Sequence, residues 1–158
     1  MPSCVPGRRE MLGGMAESVM RPTDASVVAF LDAVEHPVRR RDGWRLHELL
    51  ARITGEKAVM WGPTIVGFGR YRYEYPSGRT GEAGAAGFSP RRAATTIYLP
   101  EGTGPHAERF ARLGPHRSSK VCVYVTNLDK IDMAVLEEIL RASYATVSAG
   151  LMDHRAEG

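Results

Sequence analysis

Apolar positions recur along this chain with two different periods, and the change between them marks its organisation. Val27, Phe30, Leu31 and Val34 fall at i, i+3, i+4 and i+7, which predicts a helix with one apolar stripe. Thr23-Asp24 supplies an N-cap signal ahead of it, and Pro37 ends it. A second helix is predicted to start near Val38, to carry Leu46, Leu49, Leu50 and Ile53 on one face, and to stop at Gly55. From Val59 the period becomes two.

Ile65 to Tyr75 is the clearest strand signal, with Tyr71, Tyr73 and Tyr75 on one face and Arg70, Arg72 and Glu74 on the other. Gly67 and Gly69 share the tyrosine face, and glycines inside a strand mark a bulge or a close approach by backbone or ligand. Pro76-Ser77-Gly78 makes a turn, and the small-residue stretch GEAGAA with Gly81, Gly84 and Gly87 reads as a flexible hairpin loop. Further strands are predicted over Ala94–Leu99 and Lys120–Thr126, separated by a short helix from about Pro105 to Leu113. Asp132 caps a last helix, Ile131 staples onto Leu136, and Gly150 closes it. The element order ααβββαβα lacks alternating βαβ units. It predicts an α+β fold with a central antiparallel sheet and helices on one face. The expected division is a flexible tail over 1–22, a single domain over 23–150 and a C-terminal tail over 151–158.

At 158 residues and 17.3 kDa the chain has room for one domain with a core, and 43% hydrophobic residues exclude wholesale disorder. No apolar run reaches the ~18 residues of a membrane span. No stretch near the N-terminus resembles the apolar region of a signal peptide, so a cytoplasmic protein without a membrane partner is the expectation. Two cysteines, Cys4 and Cys122, make neither a disulfide framework nor a C-x-x-C motif. Lys+Arg 21 against Asp+Glu 18 is too small an excess for a nucleic-acid binder that depends on phosphate neutralisation. Arg39-Arg40-Arg41 at the head of the second helix oppose its dipole and read as a solvated face.

Several chemistries lack their residues. Gly67-Phe68-Gly69 is not followed by a helix, so it is no dinucleotide fingerprint, and a P-loop lysine is missing. His36, His47, His106, His116 and His154 form no H-x-x-x-H pair, and Asn127, Asp129 and Asp132 do not complete a calcium loop. G-x-S-x-G is absent, and no catalytic residue is assigned. What remains is a composite surface: Trp61, Tyr71, Tyr73 and Tyr98 as apolar walls, Arg91, Arg92 and Lys120 as anion anchors. If these converge, a small anionic molecule fits them, because guanidinium groups bind planar anions bidentately and aromatic rings stack. An ordinary half-exposed sheet whose tyrosines are simply strand formers stays open as the alternative.

The blocks VMWGPTIVGFGRYRYEYPSG, GFSPRRAATTIYLP and LGPHRSSKVCVYVTNLDKID, in this order, resemble the YdhG-like bacterial family of unknown function over about Ala25 to Val147. The resemblance implies an α+β domain. One branch of that family is described as a frataxin-like iron chaperone, which implies iron as cargo and iron–sulfur assembly proteins as partners. Hard iron ions take oxygen ligands, and the carboxylates offered here are Asp24, Asp32 and Glu35. The leading expectation is a non-enzymatic binding domain built on the Tyr/Arg surface. Iron delivery, or an enzyme using Cys122 or a tyrosine, are the alternatives.

Overall fold

The computed structural model describes residues 21–74 and 77–149. Tyr75, Pro76, the closing Gly150, most of the expected N-terminal tail and the C-terminal tail lie outside the described residues. Order is already present at β1 (Pro22–Thr23), which pairs with the strand at Met60 and Trp61. Because Thr23 is taken up there, the cap of α1 (Val27–Asp32) is Ser26, whose hydroxyl accepts from the Ala29 N–H at 3.0 Å. Thr23-Asp24 is therefore not the helix start. For α2 (Pro37–Thr54), Pro37 opens the helix, whereas its predecessor has already ended at Asp32 and not at Pro37 as expected. His36 caps it, its Nδ1 accepting from the N–H groups of Val38 and Arg39 at 3.2 and 3.4 Å. Gly55 ends it at φ 69°, a left-handed C-cap as expected.

The strands are β2 (Ala58–Trp61), β3 (Ile65–Phe68), β4 (Tyr71–Glu74), β5 (Thr80–Ala83), β6 (Ala86–Pro90), β7 (Thr95–Tyr98), β8 (Arg117–Ser118) and β9 (Cys122–Val125). Helix α3 (Ala107–Leu113) lies between β7 and β8, and α4 (Met133–Ser148) follows β9. Seven strands form one antiparallel sheet in the order β1-β2-β3-β6-β7-β9-β8, and β4-β5 form a separate two-stranded ladder. The α+β class and the antiparallel sheet are as expected, whereas the order ααβββαβα undercounts the strands.

The undercounting has one source. Ile65 to Glu74 is not a continuous strand, because Gly69 turns the chain at φ 70°. The stretch expected to be a loop instead supplies β5 and the start of β6. Register is the same on both sides of the break: Val66 faces Phe88 and Phe68 faces Ala86 before it, Tyr71 faces Ala83 and Tyr73 faces Gly81 beyond it. Residues 65–74 and 80–90 are the two arms of one long hairpin with a bend. GEAGAA has no apolar alternation of its own, and its extended conformation comes from pairing with the tyrosine strand.

One apolar cluster joins the helices to the sheet: Leu31, Leu46, Leu50, Leu113, Leu136 and Ile139 meet Met60, Val66, Phe68, Phe88, Ile97 and Val123. Each such fully buried side chain contributes about 1.5–3 kcal/mol. Alternation then turns Trp61, Gly67, Gly87, Tyr98 and Cys122 toward the opposite face. Asp132 caps α4 as expected, accepting from the N–H groups of Ala134 and Val135. The arginine run at the head of α2 is not a solvated face throughout. Arg39 is 6% exposed and reaches inward to the carbonyl oxygens of Thr126 and Ala93 at 2.6 and 2.8 Å. Arg41 pairs with the fully buried Asp42, which also accepts the Leu128 N–H at 2.9 Å. Among the described residues, no helix is long and apolar enough to cross a membrane.

Candidate functional site

On the sheet face turned away from the helices, a cross-strand row runs Val59, Gly67, Gly87, Tyr98, Cys122, each residue opposite the next. Two adjacent positions in that row have no side chain, so the sheet surface is low there and leaves room over Gly67 for the Trp61 indole. The depression opens into a hollow of about 300 Å³. Gly67 and Gly87 floor it, Trp61 and Ile65 stand on one side, Tyr98 and Leu99 on the other, and Tyr71, Ala83 and Gly84 enter from the bent arm of the hairpin.

The glycine at 67 is required by the indole. A Cβ there would lie 2.4 Å from Trp61 Cδ1, so the ring rests directly on the backbone of β3. The Arg70 guanidinium sits 5.7 Å from the centroid of the Trp61 ring, a cation–π contact that further fixes the indole. At Gly87 a Cβ would meet the Val66 carbonyl oxygen at 2.9 Å. At Gly84 it would lie 3.3 Å from Trp61 Nε1 and 3.5 Å from Gly67 Cα, so the return strand also passes close over the same spot.

Four of the seven residues expected at one site line this hollow: Trp61, Tyr71, Arg91 and Tyr98. Arg91 Nη2 lies 3.4 Å from the Tyr98 hydroxyl and makes no ion pair with any described residue. Three do not join them. Tyr73 packs with Tyr71 and Tyr144 on the bent arm, its ring lying over Gly81. Arg92 lines a different hollow at the end of the sheet, beside Phe30 and Arg39. Lys120 precedes β9 in an exposed turn where its carbonyl accepts the Thr103 N–H at 2.8 Å. After Pro90 both arginines border that second hollow, and Arg91 alone also reaches the glycine-floored one. The glycines and Ile65 were not among the residues expected to form the site. The signal for the floor was nevertheless present in Gly67, a strand glycine on the tyrosine face.

The remaining candidates have structural surroundings. Cys122 is a buried free thiol whose backbone N–H donates to the Ser119 hydroxyl at 3.2 Å. Asp32 accepts the Trp44 Nε1–H at 3.1 Å, and Asp24, Asp32 and Glu35 do not gather. Among the described residues, no three His, Cys, Asp or Glu side chains come together in a metal-sized group.

A second polar cluster was not anticipated. Buried His106 and Glu101 meet at 2.5 Å, and the Ser143 hydroxyl donates to the other Glu101 oxygen at 2.7 Å. Here the carboxylate stands between hydroxyl and imidazole. A nucleophilic triad needs the imidazole in the middle, so this cluster ties α4 to the segment before α3 and is no triad.

No family model, curated protein or solved structure matches the chain.

Proposed function

We propose that the protein is a binding domain, with the glycine-floored hollow as its site and a small, flat, anionic molecule as its ligand. The observation that carries this reading is the pairing of Gly67 with Gly87 beneath Trp61, with Arg91 at the rim and no carboxylate engaging it. The space left between the indole, which itself covers Gly67, and the Tyr98 phenol admits a planar ring. Arg91 then supplies a fork of donors for a carboxylate on that ring. A volume of about 300 Å³ lies at the lower end of small-molecule sites, which suits one or two fused rings.

Calorimetric titration with benzoate and indole-3-carboxylate, beside the neutral benzamide, tests the reading. Wild type binds the carboxylates in preference to the amide. Arg91→Ala weakens them by about 10–100-fold, the worth of a hydrogen bond to a charged group. Equal affinity of wild type and Arg91→Ala for the carboxylates overturns the proposal, as does the absence of saturable binding to every probe.

A further inference from the structure

The head of α2 poses an electrostatic problem of its own. Arg39 is more than nine-tenths buried, yet among the described residues no carboxylate lies within ion-pair distance of it. Its two terminal nitrogens are held by the carbonyls of Thr126 and Ala93, and its Nε is buried with no hydrogen-bond partner. Carbonyl dipoles satisfy N–H groups without neutralising a charge, and a buried cation without a counter-ion carries a large desolvation penalty. The positive end of an 18-residue helix adds to the same local potential.

Arg39 forms part of the wall of the hollow of about 490 Å³ at the end of the sheet, between α1, α2 and the chain leaving β6. Arg91 and Arg92 line it as well, and Arg92 makes no ion pair or hydrogen bond with any described residue. Glu35 is the acidic residue of that lining, and its carboxylate is not within ion-pair distance of any of the three. Three arginines and one glutamate line this hollow, an excess of two positive charges around it.

We infer that this hollow is a second anion site, separate from the glycine-floored one, and that it takes a phosphate dianion, free or as a phosphomonoester. Two excess charges match a dianion, and guanidinium forks match its oxygens. His36 already caps the N–H groups of Val38 and Arg39 and carbonyls hold the Arg39 Nη atoms, so the helix and Arg39 contribute potential while Arg91 and Arg92 contribute the donors. The inference does not depend on the reading of the other hollow, although Arg91 borders both.

The test titrates inorganic phosphate and glycerol phosphate into the full chain in a phosphate-free, sulfate-free buffer, followed by calorimetry. Arg92→Glu is the informative variant, because Arg92 is exposed and its replacement leaves the core untouched. Saturable binding by wild type, weakened at least about tenfold in Arg92→Glu, supports the site. Unchanged binding of indole-3-carboxylate by Arg92→Glu is the accompanying expectation, and it keeps the two hollows distinguishable. No saturable binding of either phosphate by wild type up to about 10 mM, where the free energy falls below that of a weak specific contact, overturns it. Equal phosphate affinity in wild type and Arg92→Glu also overturns it.

Discussion

Replacing Gly67 by alanine probes the floor of the candidate site directly. The added methyl would stand 2.4 Å from Trp61 Cδ1 and 2.8 Å from its Nε1. Relaxed carbon–carbon contacts lie at about 3.5–4.0 Å, so the indole must retreat by about 1.1–1.6 Å. Trp61 is 3% exposed and is flanked by the Arg70 guanidinium, so the ring cannot shift without losing packing. Overpacking of this kind costs about 1–3 kcal/mol. Alanine recovers about 0.4–1 kcal/mol by restricting the unfolded chain, because Gly67 is not among the residues with positive φ. The net expectation is a loss of about 1–2 kcal/mol, equivalent to a melting temperature lower by about 3–8 °C. Urea unfolding followed by fluorescence reads it as a lower midpoint with an unchanged slope. The mechanism is then isolated by a double-mutant cycle with Trp61→Leu, in which the penalty for Gly67→Ala falls below about 0.5 kcal/mol. Gly87→Ala is the contrast, since its methyl meets the Val66 carbonyl and its penalty persists in the Trp61→Leu background. The reasoning is refuted if Gly67→Ala is as stable as wild type, or if its cost is the same with leucine at 61.

Asp42→Ala leaves the buried Leu128 N–H without an acceptor and is expected to cost about 2–4 kcal/mol by urea unfolding, with Asp42→Asn losing less. A different readout follows from His47, which lies between the rings of Trp44 and Phe68 at 5.3 and 5.9 Å. Burial there lowers its imidazolium pKa below the ordinary 6.5, a shift that the nearby Glu48 charge partly opposes. Between the lowered value and 6.5 the unfolded chain binds more protons than the folded one. Stability is therefore full above that range and is lost as pH falls through it. His47→Phe is expected to flatten the acid-side slope in melting temperature against pH, and an unchanged slope would contradict the assignment.

The elements that were legible beforehand are those whose signal is local. The stripes of α2 and α4, the Gly55 stop and the Asp132 cap all concern residues within a turn or two of one another. The strand in GEAGAA was invisible because its conformation is imposed by a partner eight to twelve residues away, and its small side chains carry no period. Arg39 was misread for a related reason. A run of three arginines looks solvated until the carbonyls of Thr126 and Ala93, distant in sequence, are brought beneath the first of them. Convergence of Trp61, Tyr71, Arg91 and Tyr98 brings four separate segments (β2, β4, the chain after β6, and β7) to one face of the sheet. That Arg91 borders both hollows and Arg92 only one depends on the path of the chain after Pro90, which residue type does not encode.

The bend at Gly69 divides the long hairpin into an inner half woven into the seven-stranded ladder and an outer half whose strands form a separate two-stranded ladder. Tyr71 and Ala83 reach the hollow from the outer half, yet none of the seven-strand ladder's hydrogen bonds belongs to them. Residues 71–83 can thus drift in sequence and recontour the mouth while the scaffold beneath keeps its pairing. In such an arrangement the choice of ligand and the persistence of the fold are open to separate selection.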